Sequence, residues 1–434
     1  MQKVLRLKNS VAIQYIFYFL FSIPEIILIT IITIISFAYR FCFTKKITNQ
    51  RIVLGSIPLI NNVYWKEAIN KFALAKTYTS ALYSNSKRHD WDIIISERWR
   101  FAPSFFRSVL SFCEVLLKYD LIVTSYSGFA INDRPYWRIQ AICFKICKIK
   151  TIVIPYGSDA YIYSRINSNT LLYGLLGDYP GAAKNSKSIE SRINYWNNYA
   201  DAVIPGFMGF DGIGRWDVLV CSPLIIDTSF WCSNKEMNSQ SNQNSSKPVV
   251  IGHFPNHKIF KGTKYIEAAV ELLQAEGFNV ELRIYNNISN YQVSDLMKNE
   301  IDIYFDQINF IGYGMAAIEA MACSLPVLAN LQDKNYTDAL KYYSHLMDCP
   351  IVSVDQTNLL SELRKLIVSE SLRHDIGING RKYVERYHSI ESGAVFFKQL
   401  IYSLVHNSKI DLKLFESNPK LVLKTFDSLR DKNR

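Results

Sequence analysis

None of the eight cysteines stands in a CxxC pair, and they are scattered from Cys42 to Cys349. That pattern gives no clustered disulfide framework and no thiolate metal site, and reads as free thiols in a reducing compartment. Neither α/β half opens on a strand leading into GxGxxG, which disfavours a Rossmann dehydrogenase. Zinc-finger spacing, an RNP-like segment and a long basic run are also missing, so the net charge of +11 does not read as a nucleic-acid surface. The excess of positive charge points instead to an anionic membrane or to anionic substrates.

What the chain has is length and apolar content. Its 434 residues, 49% hydrophobic and 14% aromatic, suffice for two or three full cores. Residues 11–39, VAIQYIFYFLFSIPEIILITIITIISFAY, hold a single charge, Glu25, between basic flanks: Lys3, Arg6 and Lys8 before, Arg40, Lys45 and Lys46 after. The run is too long for a cleaved signal peptide. As one helix it measures about 43 Å against a hydrocarbon core of about 30 Å, a feasible tilted span. Pro24-Glu25 divides it into limbs of 13 and 14 residues, each about 20 Å, so a re-entrant hairpin or a surface helix is also expected as an alternative. Every version ties the chain to a membrane through residues 1–46.

From residue 51 short apolar strands alternate with amphipathic helices. RIVLGS, WDIIIS, DLIVTSYSG, KTIVIPYGSD and ADAVIPG make a first series, expected to fill residues 47–232. SNKEMNSQSNQNSS within 233–247 is a polar linker. KPVVIGHF, NVELRIY, IDIYFD and LPVLAN, with helices between them, make a second series over 248–390. Residues 391–434 are mostly helical with a basic tail. Ile/Val runs between helices predict parallel sheets covered on both faces, hence two doubly wound domains.

In such sheets ligands sit beyond the carboxyl ends of strands. After VVIGHF, the loop with Asn256, His257, Lys258 and Lys261 opens a helix at Gly262 or Thr263, where amides and lysines suit a phosphate. A basic surface loop is the plain alternative. The glycines of Gly312-Tyr313-Gly314 begin a helix carrying Glu319, a lone acid in YGMAAIEAMACSLPVLAN. A buried carboxylate needs a partner, and the two oxygens of Glu319 could accept from both hydroxyls of a ribose. A Lys or Arg from elsewhere is the alternative partner. His253 reads as a core or cleft histidine, and Arg215 as able to pair with Asp217.

KGTKYIEAAVELL followed by GMAAIEAMACSLPVLA resembles the C-terminal half of a retaining, family-four-type glycosyltransferase, and IDIYFDQINFIGYG resembles its bacterial surface-polysaccharide members. GSIPLINNVYWKEAI and IPYGSDAY are similar to weaker N-terminal motifs of the same enzymes. The resemblance covers residues 51 to about 405. It implies the GT-B fold: two Rossmann-like domains facing a central cleft, nucleotide sugar on the C-terminal side and acceptor on the N-terminal side, with the last helix crossing back.

Carried over residue by residue, the resemblance makes Lys261 the pyrophosphate contact and Glu319 the ribose contact. The family's preceding Arg falls on Asn256, so His257 or Lys258 is expected to substitute. Its second Glu, eight residues before Glu319, falls on Ile311; Asp306 and Gln307 are the nearest polar candidates. The acceptor side is expected at Ser56 to Asn62, with Asn61 and Asn62, at Ser127 and Gly128, and at Gly157, Ser158 and Asp159. For Asp159 an Asx-type turn within its own loop is the alternative. The implied reaction moves a sugar from a nucleoside diphosphate sugar, without metal or other cofactor, to a membrane-associated or lipid-linked glycan at the cytoplasmic face of the inner membrane. A catalytically silent glycan-binding or scaffold relative is the rival; a sugar-nucleotide epimerase needs no membrane segment.

Overall fold

The structure, a computed structural model, describes residues 2–42, 50–82, 88–209, 212–221, 223–233 and 247–408, with side chains from Ser22 onward. Most of the expected polar linker and residues 409–434 lie outside the described residues. Contacts divide the chain into two units. Unit 1 comprises residues up to Pro155, Arg192–Val203 and Leu404–Asn407; unit 2 comprises Tyr156–Ser191 and Ile204–Ser403.

Unit 1 is a six-stranded sheet of β1 (Arg51–Leu54), β2 (Leu74–Thr79), β3 (Ile93–Ile94), β4 (Leu121–Thr124), β5 (Lys150–Val153) and β6 (Ala202–Val203). The order is β3-β2-β1-β4-β5-β6 with all pairs parallel, the Rossmann order. Helices α1 (Gln2–Cys42), α2 (Ile60–Asn70), α3 (Ile95–Arg98), α4 (Ser104–Lys118) and α5 (Ile139–Ile146) accompany it. The continuous LIVT of β4 is buried throughout because helices cover both faces.

The α1 helix runs unbroken through Pro24, so the re-entrant hairpin is not what forms. Proline removes one helical hydrogen bond and tends to kink a helix, but does not oblige the chain to turn back. Its neighbour Glu25 is tied into unit 1 by Arg134 and Tyr136. The segment Ser22–Cys42 is long and apolar enough to cross a membrane.

Helices α6 (Asn169–Asp178), α7 (Pro180–Lys184) and α8 (Ser186–Tyr199) follow, with α8 running from one unit into the other. Unit 2 then builds β7 (Val249–His253), α9 (Lys258–Lys261), α10 (Thr263–Ala275), β8 (Val280–Ile284), α11 (Asn290–Asn299), β9 (Ile303–Ile311), α12 (Met315–Ala322), β10 (Val327–Asn330), α13 (Lys334–Tyr343), β11 (Val352–Ser353), α14 (Leu359–Val368), α15 (Glu370–Tyr387) and α16 (Ile390–Val405). Its sheet order is β11-β10-β9-β7-β8, all parallel, the flavodoxin-like order rather than the Rossmann one. The direction of winding therefore reverses between β7 and β9. Sheet and helices share a core that includes Ile251, Ile266, Leu273, Phe305, Leu328 and Leu363.

A boundary at residue 232 is thus not where the contacts fall. Residues 156–191 group with the C-terminal half because α6 packs on α9 and on β9. Gly174 and Gly177 make this approach possible: a Cβ on Gly174 would lie 3.0 Å from the Phe260 backbone, and one on Gly177 2.7 Å from Ile259.

Candidate functional site

The loops beyond β7 and β9 meet at the winding reversal of unit 2. β7 ends at His253, which is fully buried, with Nδ1 2.9 Å from the Phe305 carbonyl and Nε2 2.9 Å from the Thr263 hydroxyl. Burial pulls its pKa down to about 4. It is a neutral core residue joining β9 to the first turn of α10.

The single turn of α9 then positions Lys261. Asp178 accepts from the Phe260 amide at 2.6 Å, and Asn309 donates to the Ile259 carbonyl at 2.7 Å. Gly262 ends the turn with φ +78°, and any Cβ there would lie 2.2 Å from the Ile308 side chain. Glycine is therefore required both by conformation and by space. Tyr179 packs on the His257 ring at 4.5 Å, and burial lowers the pKa of that imidazole. Asn256 and Lys258 are exposed, and Lys258 has no partner among the described residues.

β9 carries an irregularity that bears directly on the site. Gln307 stands opposite Ala329, yet the next partner, Asn330, stands opposite Ile311. Three residues, Ile308, Asn309 and Phe310, are accommodated as a bulge, and each touches the α9 turn or Gly262. Bulges re-aim the side chains next to them. Here Asp306 and Gln307 form the floor of the site: Lys261 Nζ lies 2.7 Å from Asp306 Oδ1 and 2.7 Å from Gln307 Oε1. The other oxygen of Asp306 accepts from the Gly314 amide at 3.1 Å, and the Gln307 amide donates to the Gly312 carbonyl at 2.8 Å. One carboxylate and one amide thus hold the lysine and both glycines of GYG in a single network. Ile311, where the resemblance puts a second acid, is buried within the strand.

Tyr313 does not face this network. Its hydroxyl lies 2.9 Å from that of Tyr383 and 3.0 Å from His388 Nε2, inside the core. It can offer a ligand only backbone. The Gly314 amide is already given to Asp306, so donors for a ligand come from Tyr313 and from the first turn of α12.

Glu319 is 8% exposed, and its carboxyl has no hydrogen bond or ion pair among the described residues. Burial first, and the charge of Asp306 second, raise its pKa to about 8. The alternative of a protein Lys or Arg partner does not materialise among the described residues. A buried carboxyl without a partner, on the helix next to Lys261, can accept from a polar ligand.

The remaining candidates fall in two places. Asn61 and Asn62 lie in the first turn of α2, and Asn62 donates to the Ile57 carbonyl at 3.0 Å. The Ser56 hydroxyl accepts from the Ala130 amide at 3.1 Å, which joins the β1 loop to the loop of Ser127 and Gly128 after β4. These residues share the winding reversal of unit 1 between β1 and β4. Gly157, Ser158 and Asp159 belong to unit 2, and Asp159 accepts from the amides of Tyr156 and Gly157 at 3.0 and 3.2 Å, so its carboxylate ties back the loop that precedes it rather than making an Asx turn with the residues that follow. Arg215 pairs with Asp217 at 2.8 Å. No group of three metal-ligating side chains occurs among the described residues. An open groove of about 700 Å³ in unit 1, beside Lys76 and Arg98, is lined by none of the candidate residues of the unit 1 reversal, and its Glu114 is already held by Arg98 and Lys118. Asp178 and the bulge had no signal in the sequence: Asp178 is 82 residues from the amide it caps.

Residues 237–383 match the family Glycosyl transferases group 1. An uncharacterized glycosyltransferase of Methanocaldococcus jannaschii is 22% identical over 193 residues, 36% of this chain. The chain spans about half, 54%, of that relative's length. Among solved structures, sucrose-phosphate synthase of Thermosynechococcus elongatus is similar with a TM-score of 0.53 at 13% identity, covering 83% of this chain and 100% of its own. Anabaena HepE, solved in complex with UDP and glucose, gives 0.51 at 14% identity over 83% of this chain and all of its own. A glycosyltransferase of Rickettsia africae gives 0.50 at 12% identity, over 84% of this chain and all of its own. At these identities the likeness is one of fold. Residues 237–383 are similar to the glycosyl transferase group 1 family, and the two parallel-sheet α/β units share the GT-B fold of these structures.

Proposed function

We propose that this chain transfers a sugar from a nucleoside diphosphate sugar to a membrane-associated glycan or lipid-linked acceptor, with retention of configuration, in the synthesis of surface polysaccharide. The observation that carries the reading is the pairing of two features at one sheet reversal: Lys261 fixed by Asp306 and Gln307, and the unpartnered Glu319 on the adjacent helix. The group 1 match over the same residues, and UDP in the HepE structure, support a nucleotide as the ligand.

The chemistry follows from charge. The bond between the anomeric carbon and the diphosphate oxygen breaks with its electron pair on oxygen, so negative charge grows on the leaving group. Lys261, exposed Lys258 and the free amides of the α12 first turn are donors for that charge, placed in advance in a partly dry site. Asp306 keeps Lys261 aimed. Glu319 accepts from the ribose hydroxyls and fixes the nucleoside. Retention, the silent-relative alternative and the absence of a protein nucleophile follow the resemblance rather than the geometry; leaving-group oxygen is the base that takes the acceptor's proton in this reading. No metal is invoked, because lysines and dipoles meet the phosphate charge. The acceptor is assigned to the unit 1 reversal at Asn61, Asn62, Ser127 and Gly128, working at the cytoplasmic face of the inner membrane.

The test uses the full-length protein in detergent with a panel of nucleoside diphosphates in thermal shift, and nucleoside diphosphate release from the matching sugar donors. One diphosphate is expected to stabilise the protein, and Glu319→Ala to remove most of that gain. Undiminished binding in that variant sinks the ribose assignment. Binding without release, with every acceptor offered, favours the silent scaffold.

A further inference from the structure

The docked half of α1 is amphipathic in the wrong sense for a helix packed on a domain in water. Its inward stripe is Glu25, Ile29, Thr33, Ser36 and Arg40, a spacing of three and four residues that keeps them on one face. Each polar member is served by unit 1 or by the helix itself. Glu25 lies against Arg134 at 3.3 Å and accepts from the Tyr136 hydroxyl. Thr33 donates to the Ile29 carbonyl at 2.7 Å, and Ser36 to the Leu116 carbonyl at 2.5 Å. Arg40 pairs with Asp120 at 2.7 Å and donates to the Tyr119 carbonyl.

The opposite stripe is Ile23, Ile27, Ile31, Ile34, Ile35 and Phe41, from 49% to 70% exposed. In an ordinary surface helix the two stripes would be exchanged. A contiguous Ile/Phe face outside, over a face of ion pairs inside, is stable only where the outer medium is not water. A lone spanning helix fails for the converse reason, since Glu25 and Arg40 would turn toward hydrocarbon without partners. Neighbouring α5 extends the face with exposed Ile142 and Ile146, and exposed Lys145 and Lys148 lie beside them. Lys148 sits 5.9 Å from the Phe41 ring. Apolar ridge and adjacent lysines together match the acyl boundary and the anionic headgroups of a bilayer.

We propose that Ser22–Cys42 does not cross the membrane but stays clamped on unit 1 and lies in the interface, so that the domain itself is seated on one leaflet of an anionic bilayer. This rests on the membrane association proposed above and specifies its form. The seat is the helix's outer stripe with the α5 rim, and the clamp is the pair of ion pairs at Glu25 and Arg40.

The experiment floats full-length protein, transferred from detergent, with vesicles of phosphatidylcholine containing phosphatidylglycerol, and separately probes inside-out membrane vesicles with protease. Flotation is expected, with a loss of at least tenfold in partitioning for Ile27→Asp/Ile31→Asp and about fivefold for each of Lys145→Ser and Lys148→Ser. Retained thermal stabilisation by nucleotide controls for folding of these variants. An epitope at the N-terminus is expected to be cut from the same side as unit 1. Flotation with a protected epitope means that the helix spans: the clamp is then wrong while membrane association survives. No flotation, or a lipid-free dimer that Ile27→Asp/Ile31→Asp dissolves, overturns the membrane seat altogether, the second result making another copy of the chain its occupant.

Discussion

Replacing Glu319 with glutamine is expected to stabilise unit 2, and by an amount that depends on pH. Burial lifts the carboxyl pKa from 4.5 in the unfolded chain to about 8. A carboxyl with a raised folded pKa costs stability as pH rises from the unfolded value, and the cost levels off above the folded one. At about 1.4 kcal/mol per unit, the cost is under about 1 kcal/mol at pH 5, about 3 at pH 7 and near 5 above pH 8. Glu319→Gln removes this cost and keeps the shape. Its melting temperature should exceed the wild type by only about 2 °C at pH 5 and by about 10 °C or more at pH 8, on roughly 2–4 °C per kcal/mol. A difference that does not vary with pH would refute the burial argument.

The same group predicts a proton count on binding. A ribose diol donating two hydrogen bonds favours the carboxylate, so the pKa falls when nucleotide binds. At pH 7 the free protein holds the proton in about nine molecules of ten, so binding should release close to one proton, falling toward zero above pH 9. Calorimetry in buffers of different ionisation enthalpy reads this number directly. Zero release at pH 7, with wild-type affinity, would mean that the diol does not reach Glu319.

Lys261→Met should lower turnover by roughly 10²–10³-fold; it should also destabilise unit 2 by about 3–5 kcal/mol in urea melts, because Asp306 is left buried without its cation. Gly262→Ala meets both a positive φ and the Ile308 side chain, and should cost about 1–3 kcal/mol by chemical denaturation. His253, with its folded pKa pulled down to about 4, contributes stability that is complete above pH 6.5 and is lost as pH falls toward 4. Substituting it by Gln should flatten that acid limb by up to about 3 kcal/mol, read as the change in midpoint slope between pH 6.5 and 4.

The strands and helices were legible because Ile/Val runs and 3.6-residue stripes repeat along the chain, and Lys261, Gly262 and Glu319 because loops at helix starts carry their chemistry in local order. What could not be read was set by contacts distant in sequence. Eight residues back from Glu319 is Ile311, but the bulge just before it, at Ile308–Phe310, decides which side chains of β9 face the site, and nothing in the local sequence shows that bulge. Tyr313 was expected on the ligand side, but the pull of Tyr383 and His388 on its hydroxyl comes from 70 and 75 residues away. The apolar run at 11–39 was legible as membrane-seeking; that Glu25 and Arg40 would find partners in unit 1 was not, since Arg134 and Asp120 give no local sign of it.

The membership of α6 in unit 2 has a practical meaning for anyone dividing this chain. A C-terminal fragment begun at the polar linker would contain Lys261, Asp306 and Glu319 and would still be incomplete. It would lack Asp178, which caps the Phe260 amide, and the two glycines against which Ile259 and Phe260 rest. The turn that aims Lys261 would lose its backing and expose aromatic side chains to water. The smallest autonomous piece is therefore discontinuous in sequence, and a single polypeptide carrying it would need residues 156–191 spliced back by a permuted connection.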